Sequence, residues 1–202
     1  SQGHNCLHAA CDRAHARCLR AVLAACGASS DGTRAAARAL VSGADGDGAK
    51  PIHLAAHSGA AACVRLLLAF DPCLEGLRMN AAHQTPLYLA CARGHLETAE
   101  VLLGFGVVVP EAPEFTPLHA AAASGAADVC ALVLAARPEL LRVEDPDHRT
   151  PLATAGGLEG IIWISQLREP DARRAAAHNN HGQQRVHDLV ALAAGKSRSR
   201  SL

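Results

Sequence analysis

Apolar residues fall in short blocks separated by regular breaks. Leu54-Ala55-Ala56 is followed by Gly59 and then by Cys63-Val64 with Leu66-Leu67-Leu68. Leu89-Ala90-Cys91 leads in the same way to Gly94 and Val101-Leu102-Leu103, and Ala120-Ala121-Ala122 to Gly125, Val129 and Leu132-Val133-Leu134. The first block of each set has the length of a short helix. The second spaces Val and Leu so that one stripe of a helix is apolar. The glycine between them suits the left-handed residue that ends a helix. The pattern predicts paired short helices recurring about every 33 residues.

The start of each pair is marked as well. Thr85-Pro86-Leu87-Tyr88, Thr116-Pro117-Leu118-His119 and Thr150-Pro151-Leu152-Ala153 begin 31 and 34 residues apart. Lys50-Pro51-Ile52-His53 stands 35 residues before Thr85 and Asn5-Cys6-Leu7-His8 another 45 before that, while Gln184-Arg185-Val186-His187 falls 34 after Thr150. Thr offers its hydroxyl to the unpaired amides of a first helical turn, and Pro at the first helical position loses no hydrogen bond. In motif and period the chain resembles the ankyrin-repeat family, over about residues 3–194. The resemblance implies an all-α solenoid of helix–turn–helix units joined by short fingers, with starts near 5, 50, 85, 116 and 150 and a partial one at 184.

Departures from the period carry their own expectations. The first interval is long, and two second-helix endings compete in it, Val22-Leu23 before Cys26-Gly27 and Leu40-Val41 before Gly43-Ala44-Asp45. Residues 27–48 are therefore read as an insertion with extra helical turns around 33–41. The third interval is short, which trims the finger around 107–115. The fifth repeat has Ala153 for the motif His and Glu159 for the glycine, so irregular helices are expected. Trp163 is expected to be buried against the partial repeat. The chain opens inside a motif, which reads as a cut from something longer rather than a capping repeat. Residues 195–202, ending Lys196-Ser197-Arg198-Ser199-Arg200-Ser201-Leu202, read as a flexible basic tail.

Composition agrees with thin layers. Half of the residues are apolar but only 2% are aromatic, and 44 alanines fill the gap, which suits closely packed helices rather than one thick core. Nineteen basic and nineteen acidic residues balance, which argues against nucleic-acid binding by an overall electrostatic footprint. No apolar run reaches the roughly 18 residues of a membrane span, and the opening residues do not read as a signal peptide. The eight cysteines follow no CxxC spacing and are expected to be reduced thiols packed as small hydrophobes. A soluble chain in the cytoplasm or nucleus is expected.

The apparent chemistry mostly has a repeat address. His8, His53, His119 and His187 hold the motif position, where a ring can bond the start of its own or the next finger. His15 and His95 follow the small residue between helices, and His83, His148 and His181 fall in inter-repeat turns. His4, Cys6, His8, Cys11, His15 and Cys18 form the best metal candidate, since mixed Cys and His suit zinc. A break near Arg13-Ala14 interrupts the shared face, so packing is the preferred role. Gly195-Lys196-Ser197 ends like a phosphate loop, but Val190 occupies the first glycine position and no strand precedes it. No catalysis, no cofactor and no metal are expected.

The resemblance implies instead a protein-interaction module, monomeric, with a protein or peptide ligand on its concave face. Carried over by position, the residues before each motif glycine are Asp12 and Arg13, His57 and Ser58, Ala92 and Arg93, and Ala123 and Ser124. The fingers add Asp45, Asp47, Asn80, His83, Gln84, Glu111, Glu114, Phe115, Asp145, Asp147, His148 and Arg149. An extended segment with Arg or Lys near the acidic tips and a small or apolar residue over Ala92 and Ala123 would fit. The run Thr85-Pro86-Leu87-Tyr88-Leu89-Ala90-Cys91 and the shortened finger after it are also similar to the adapters of cullin ubiquitin ligases that join ankyrin repeats to a SOCS box. The Leu-Cys-Arg core of that box is not found in residues 170–202.

Overall fold

The computed structural model describes residues 3–27, 31–70, 79–105 and 116–155. Among them every regular element is helical. The first pair is α1 (Cys6–Asp12) and α2 (Ala16–Gly27), followed by an additional helix α3 (Asp31–Ser42). Then come α4 (Pro51–His57) with α5 (Ala61–Phe70), α6 (Pro86–Ala92) with α7 (Leu96–Gly104), and α8 (Pro117–Ser124) with α9 (Ala127–Ala136). Pro138–Arg142 winds a 3-10 turn before the short α10 (Pro151–Thr154). Both competing endings of the first interval are thus used, one closing α2 and the other α3.

The helix starts follow from the motif residues. The Asn5 side-chain oxygen accepts the amides of Leu7 and His8 at 2.9 and 3.1 Å. Thr85 and Thr116 accept the amides of Tyr88 and His119 at 3.1 and 3.3 Å. Thr150 departs from this expectation. Its hydroxyl caps nothing, because the Ala153 amide is taken by the carbonyl of Thr150 itself at 2.8 Å. Between helices, Gly59, Gly94 and Gly125 take φ of 73°, 68° and 70°. Ala14 holds the same left-handed turn at 56° in the first repeat, which separates α1 from α2.

The chain divides into two compact units, one of Ser1–Ala90 with Glu97–Val108 and one of Cys91–Leu96 with Val109–Leu202. In the first, α1 packs on α4, α2 on α3 and α5, and α4 on α5. Leu7, Leu19, Ile52, Val64, Leu67, Leu87 and Leu102 fill its core. In the second, α8 packs on α9 and α10 around Leu118, Val129 and Val133. Ala55, Ala56, Ala90 and Ala99 in the first unit and Ala121 and Ala131 in the second have no exposed surface at all. A side chain the size of a methyl group lets neighbouring helix backbones approach closely, which is why alanine serves here. The expectations for residues 107–115, Glu159, Trp163, His181, the start at 184 and the tail lie outside the described residues.

Candidate interaction surface

Each described finger is built around one Asp or Asn. Asp45 Oδ1 accepts the amides of Asp47 and Ala49 at 3.0 and 2.8 Å, and its own amide donates to the Ala49 carbonyl at 2.9 Å. Asn80 binds the amides of Ala82 and Gln84 at 3.0 and 2.9 Å. Asp145 binds those of Asp147 and Arg149 at 2.9 and 2.8 Å. A short side chain that satisfies two amides of its own loop holds a tight turn without strand pairing. The last turn residue is left-handed in all three: Gly48 at φ 69°, His83 and His148 at 57°. Gly48 is also crowded. A Cβ there would come within 2.9 Å of the Ala81 amide, which donates to the Asp47 carbonyl at 3.0 Å.

The motif histidines join the two ends of a repeat. Nδ1 of His8 accepts the Asn5 amide at 3.2 Å, so Nε2 carries the proton and donates to the Ala49 carbonyl at 3.0 Å. His119 lies 2.8 Å from the Thr116 hydroxyl through Nδ1 and donates from Nε2 to the Arg149 carbonyl at 2.9 Å. Burial pushes the pKa of His8 down, against the raising effect of the Ala49 carbonyl. The neutral ring is also the form both bonds require. His4 stacks on His8 at 5.2 Å and meets Asp45 Oδ2 at 3.0 Å. Burial works against the Asp45 charge, but the Ala49 and Asp47 amides and His4 hold its pKa below the ordinary carboxylate value.

The expected contact residues divide into framework and surface. In the first unit Asp12 and Arg13 are exposed, and His57 and Ser58 are half-buried. Ser58 Oγ reaches the Cys11 carbonyl at 2.9 Å, back into the preceding repeat. Asn80 and Gln84 are half-buried within their finger, whereas Asp47 and His83 are exposed. In the second unit Ala92 is half-buried, and Arg93, Ala123 and Ser124 are exposed. Ser124 Oγ shares its proton between the Cys91 carbonyl at 3.2 Å and that of Ala121 at 2.9 Å. Asp145 is buried, and its Oδ2 accepts from Arg149 Nε at 3.2 Å. Arg149 also pairs with Asp147, and His148 lies 3.4 Å from Glu144. Glu111, Glu114 and Phe115 lie outside the described residues.

Sequence reasoning missed the serine linkage. The signal available was its register, since Ser58 and Ser124 each stand one place before a motif glycine. Of the amino-terminal Cys and His residues, His4 and His8 stack, and among the described residues no three of these types form a group that could hold a metal ion. Cys11 is fully buried, its thiol pKa pushed up by a hydrogen bond with Cys63 and by burial, whereas Cys6, His15 and Cys18 are exposed. Burial pushes the Cys91 thiol up strongly, and the Cys130 thiol up to about 12. These buried thiols stay protonated near neutrality and pack as small apolar groups. Among the described residues no helix is long and apolar enough to cross a membrane.

A family model described as ankyrin repeats, in three copies, matches residues 26–112. Human neurogenic locus notch homolog protein 4 is 35% identical over 105 residues. That match covers 48% of this chain and 5% of the human protein, so the similarity concerns one short stretch of a far longer molecule. Repeats of this family are protein-interaction modules.

Proposed function

The chain is an ankyrin-repeat protein, and from that premise we propose that it binds a protein or peptide, catalysing nothing, on its finger tips and first-helix ends. One observation supports the reading. The polar groups that shape each finger bond within the repeat, while Asp12, Arg13, Asp47, His83 and Ala123 stand exposed at recurring register positions on that frame. Rigid loops carrying side chains without a framework duty are what recognition by a repeat array uses.

The pairing of Arg149 with Asp145 and Asp147 shifts where a basic ligand side chain fits. In the second unit those carboxylates are already matched, so we place the basic group of the ligand at Asp47 in the first unit. The second unit, taken by itself, offers Ala123 as a place for a small ligand side chain, with Ala92 and Arg93 at the corresponding place one repeat earlier. The same reading has a monomeric chain in the cytoplasm or nucleus, which light scattering and cell fractionation test. The adapter reading turns on residues 170–202, outside the described residues.

The deciding experiment is affinity capture from cell extract with mass spectrometry, comparing the chain with an Asp47→Ala/Ala123→Arg variant. Both positions are exposed, so the variant should fold with an unchanged circular-dichroism melt. Partners should be lost from the variant. Capture of the same partners by both proteins would place binding elsewhere.

A further inference from the structure

The chain is electrically balanced as a whole, yet residues 13–42 hold five arginines, Arg13, Arg17, Arg20, Arg34 and Arg38, against a single acid, Asp31. Arg17 and Arg20 are exposed on α2, about one turn apart, while Leu19 and Leu23 turn inward. Arg38 is exposed on α3, which packs on α2. None of Arg17, Arg20 and Arg38 has an acidic partner among the described residues, whereas Arg65 in the same unit meets Glu97 at 3.1 Å. Like charges about one helical turn apart repel by a few tenths of a kcal/mol, and no ion pair among the described residues offsets that here. The exposed residues beside them are small: Ala21 and Ala24 on α2, Ala35 and Ala39 on α3.

We propose that the exposed side of α2 and α3 is a second docking surface, separate from the fingers and first helices, for an acidic protein segment whose carboxylates pair with Arg17, Arg20 and Arg38. Guanidinium groups present a planar fork that matches a carboxylate with two parallel hydrogen bonds. The neighbouring alanines leave room for the backbone of an approaching helix. Phosphate would satisfy the same forks, but single-stranded nucleic acid is held largely by bases stacking on aromatic rings. Residues 13–42 contain no Phe, Trp or Tyr. A carboxylate-bearing segment is the better match.

The test uses the full chain and fluorescence anisotropy with a labelled helical peptide of Glu and Ala, and a thymidine oligonucleotide of equal charge as competitor. The Glu/Ala peptide should bind, more weakly as salt is raised. Arg17→Ala/Arg20→Ala/Arg38→Ala should weaken it by about tenfold or more, with an unchanged circular-dichroism melt. The Asp47→Ala/Ala123→Arg variant should bind the peptide like the parent chain, which separates this surface from the one proposed above. Equal binding by the triple variant, loss of the peptide from the finger variant, tighter binding of the oligonucleotide, or no peptide binding at millimolar concentration would each overturn the proposal.

Discussion

Two kinds of residue carry unusual duties, the motif histidine and the non-glycine residue in a left-handed turn. His8 is buried and bonded at both ring nitrogens, so His8→Ala strands the Asn5 amide and the Ala49 carbonyl. That loss should cost about 2–4 kcal/mol in denaturant melts. The ring also sets a pH dependence. Its folded pKa lies below the ordinary 6.5, because burial disfavours the charged form, so the unfolded chain binds the proton first. The contribution is complete above about pH 6.5 and is lost as pH falls below it, through the folded value. Asp45 works in a separate, lower window, since its pKa is held under 3.8 and its contribution disappears only as pH drops below that. The melting temperature should therefore fall as pH drops below about 6.5, less steeply in His8→Asn; identical slopes would clear His8 of the effect. Ala14, at φ 56°, occupies the place that Gly59, Gly94 and Gly125 hold in later repeats. Ala14→Gly should raise stability by up to about 1 kcal/mol, the left-handed strain relieved exceeding the added chain entropy. A destabilised variant would show that the turn is not strained.

At the scale of the element, what reads well from sequence is what the period repeats. The Thr-Pro starts, the glycine breaks and the Val and Leu stripes recur in register, and α4 to α9 form where that register puts them. Thr150 shows the limit of such reasoning. A capping residue competes with its own backbone for the first amides, and the outcome depends on how the first turn of α10 closes. The serines show another limit. Ser58 and Ser124 look like contact residues by position, but each spends its hydroxyl on a carbonyl 47 or 33 residues away. For Ser58 it is the packing of α4 on α1 that brings those atoms together. Ser124→Ala should thus lower stability by about 0.5–1.5 kcal/mol and leave ligand affinity unaltered. A variant with normal stability and weakened binding would return Ser124 to the contact surface. The charge pattern of the last described finger was equally hidden. Asp145, Asp147 and Arg149 read as an acidic tip with one basic neighbour, whereas their side chains close on each other.

For the molecule as a whole, the alanine content is a statement about spacing. Ala121 is fully buried on α8, so a larger side chain there must push helices apart. Ala121→Leu should cost about 1–3 kcal/mol by overpacking despite its greater hydrophobicity, and a stability gain would mean the layer holds unfilled space. The balanced net charge conceals its distribution, since averaging over the chain hides the arginines of residues 13–42. The ring-to-carbonyl bonds of the histidines bear on how such a chain can change length. His8 reaches Ala49 across 41 residues and His119 reaches Arg149 across 30, yet both bonds end on the residue just before the next motif. The extra helix α3 lies wholly inside the longer of these spans. Growth is therefore free between the two ends of a repeat and forbidden at the clasp itself. Insertions near residue 28 should be absorbed as α3 is, while the same insertion between Asp45 and Ala49 would unfasten the repeat from its own beginning.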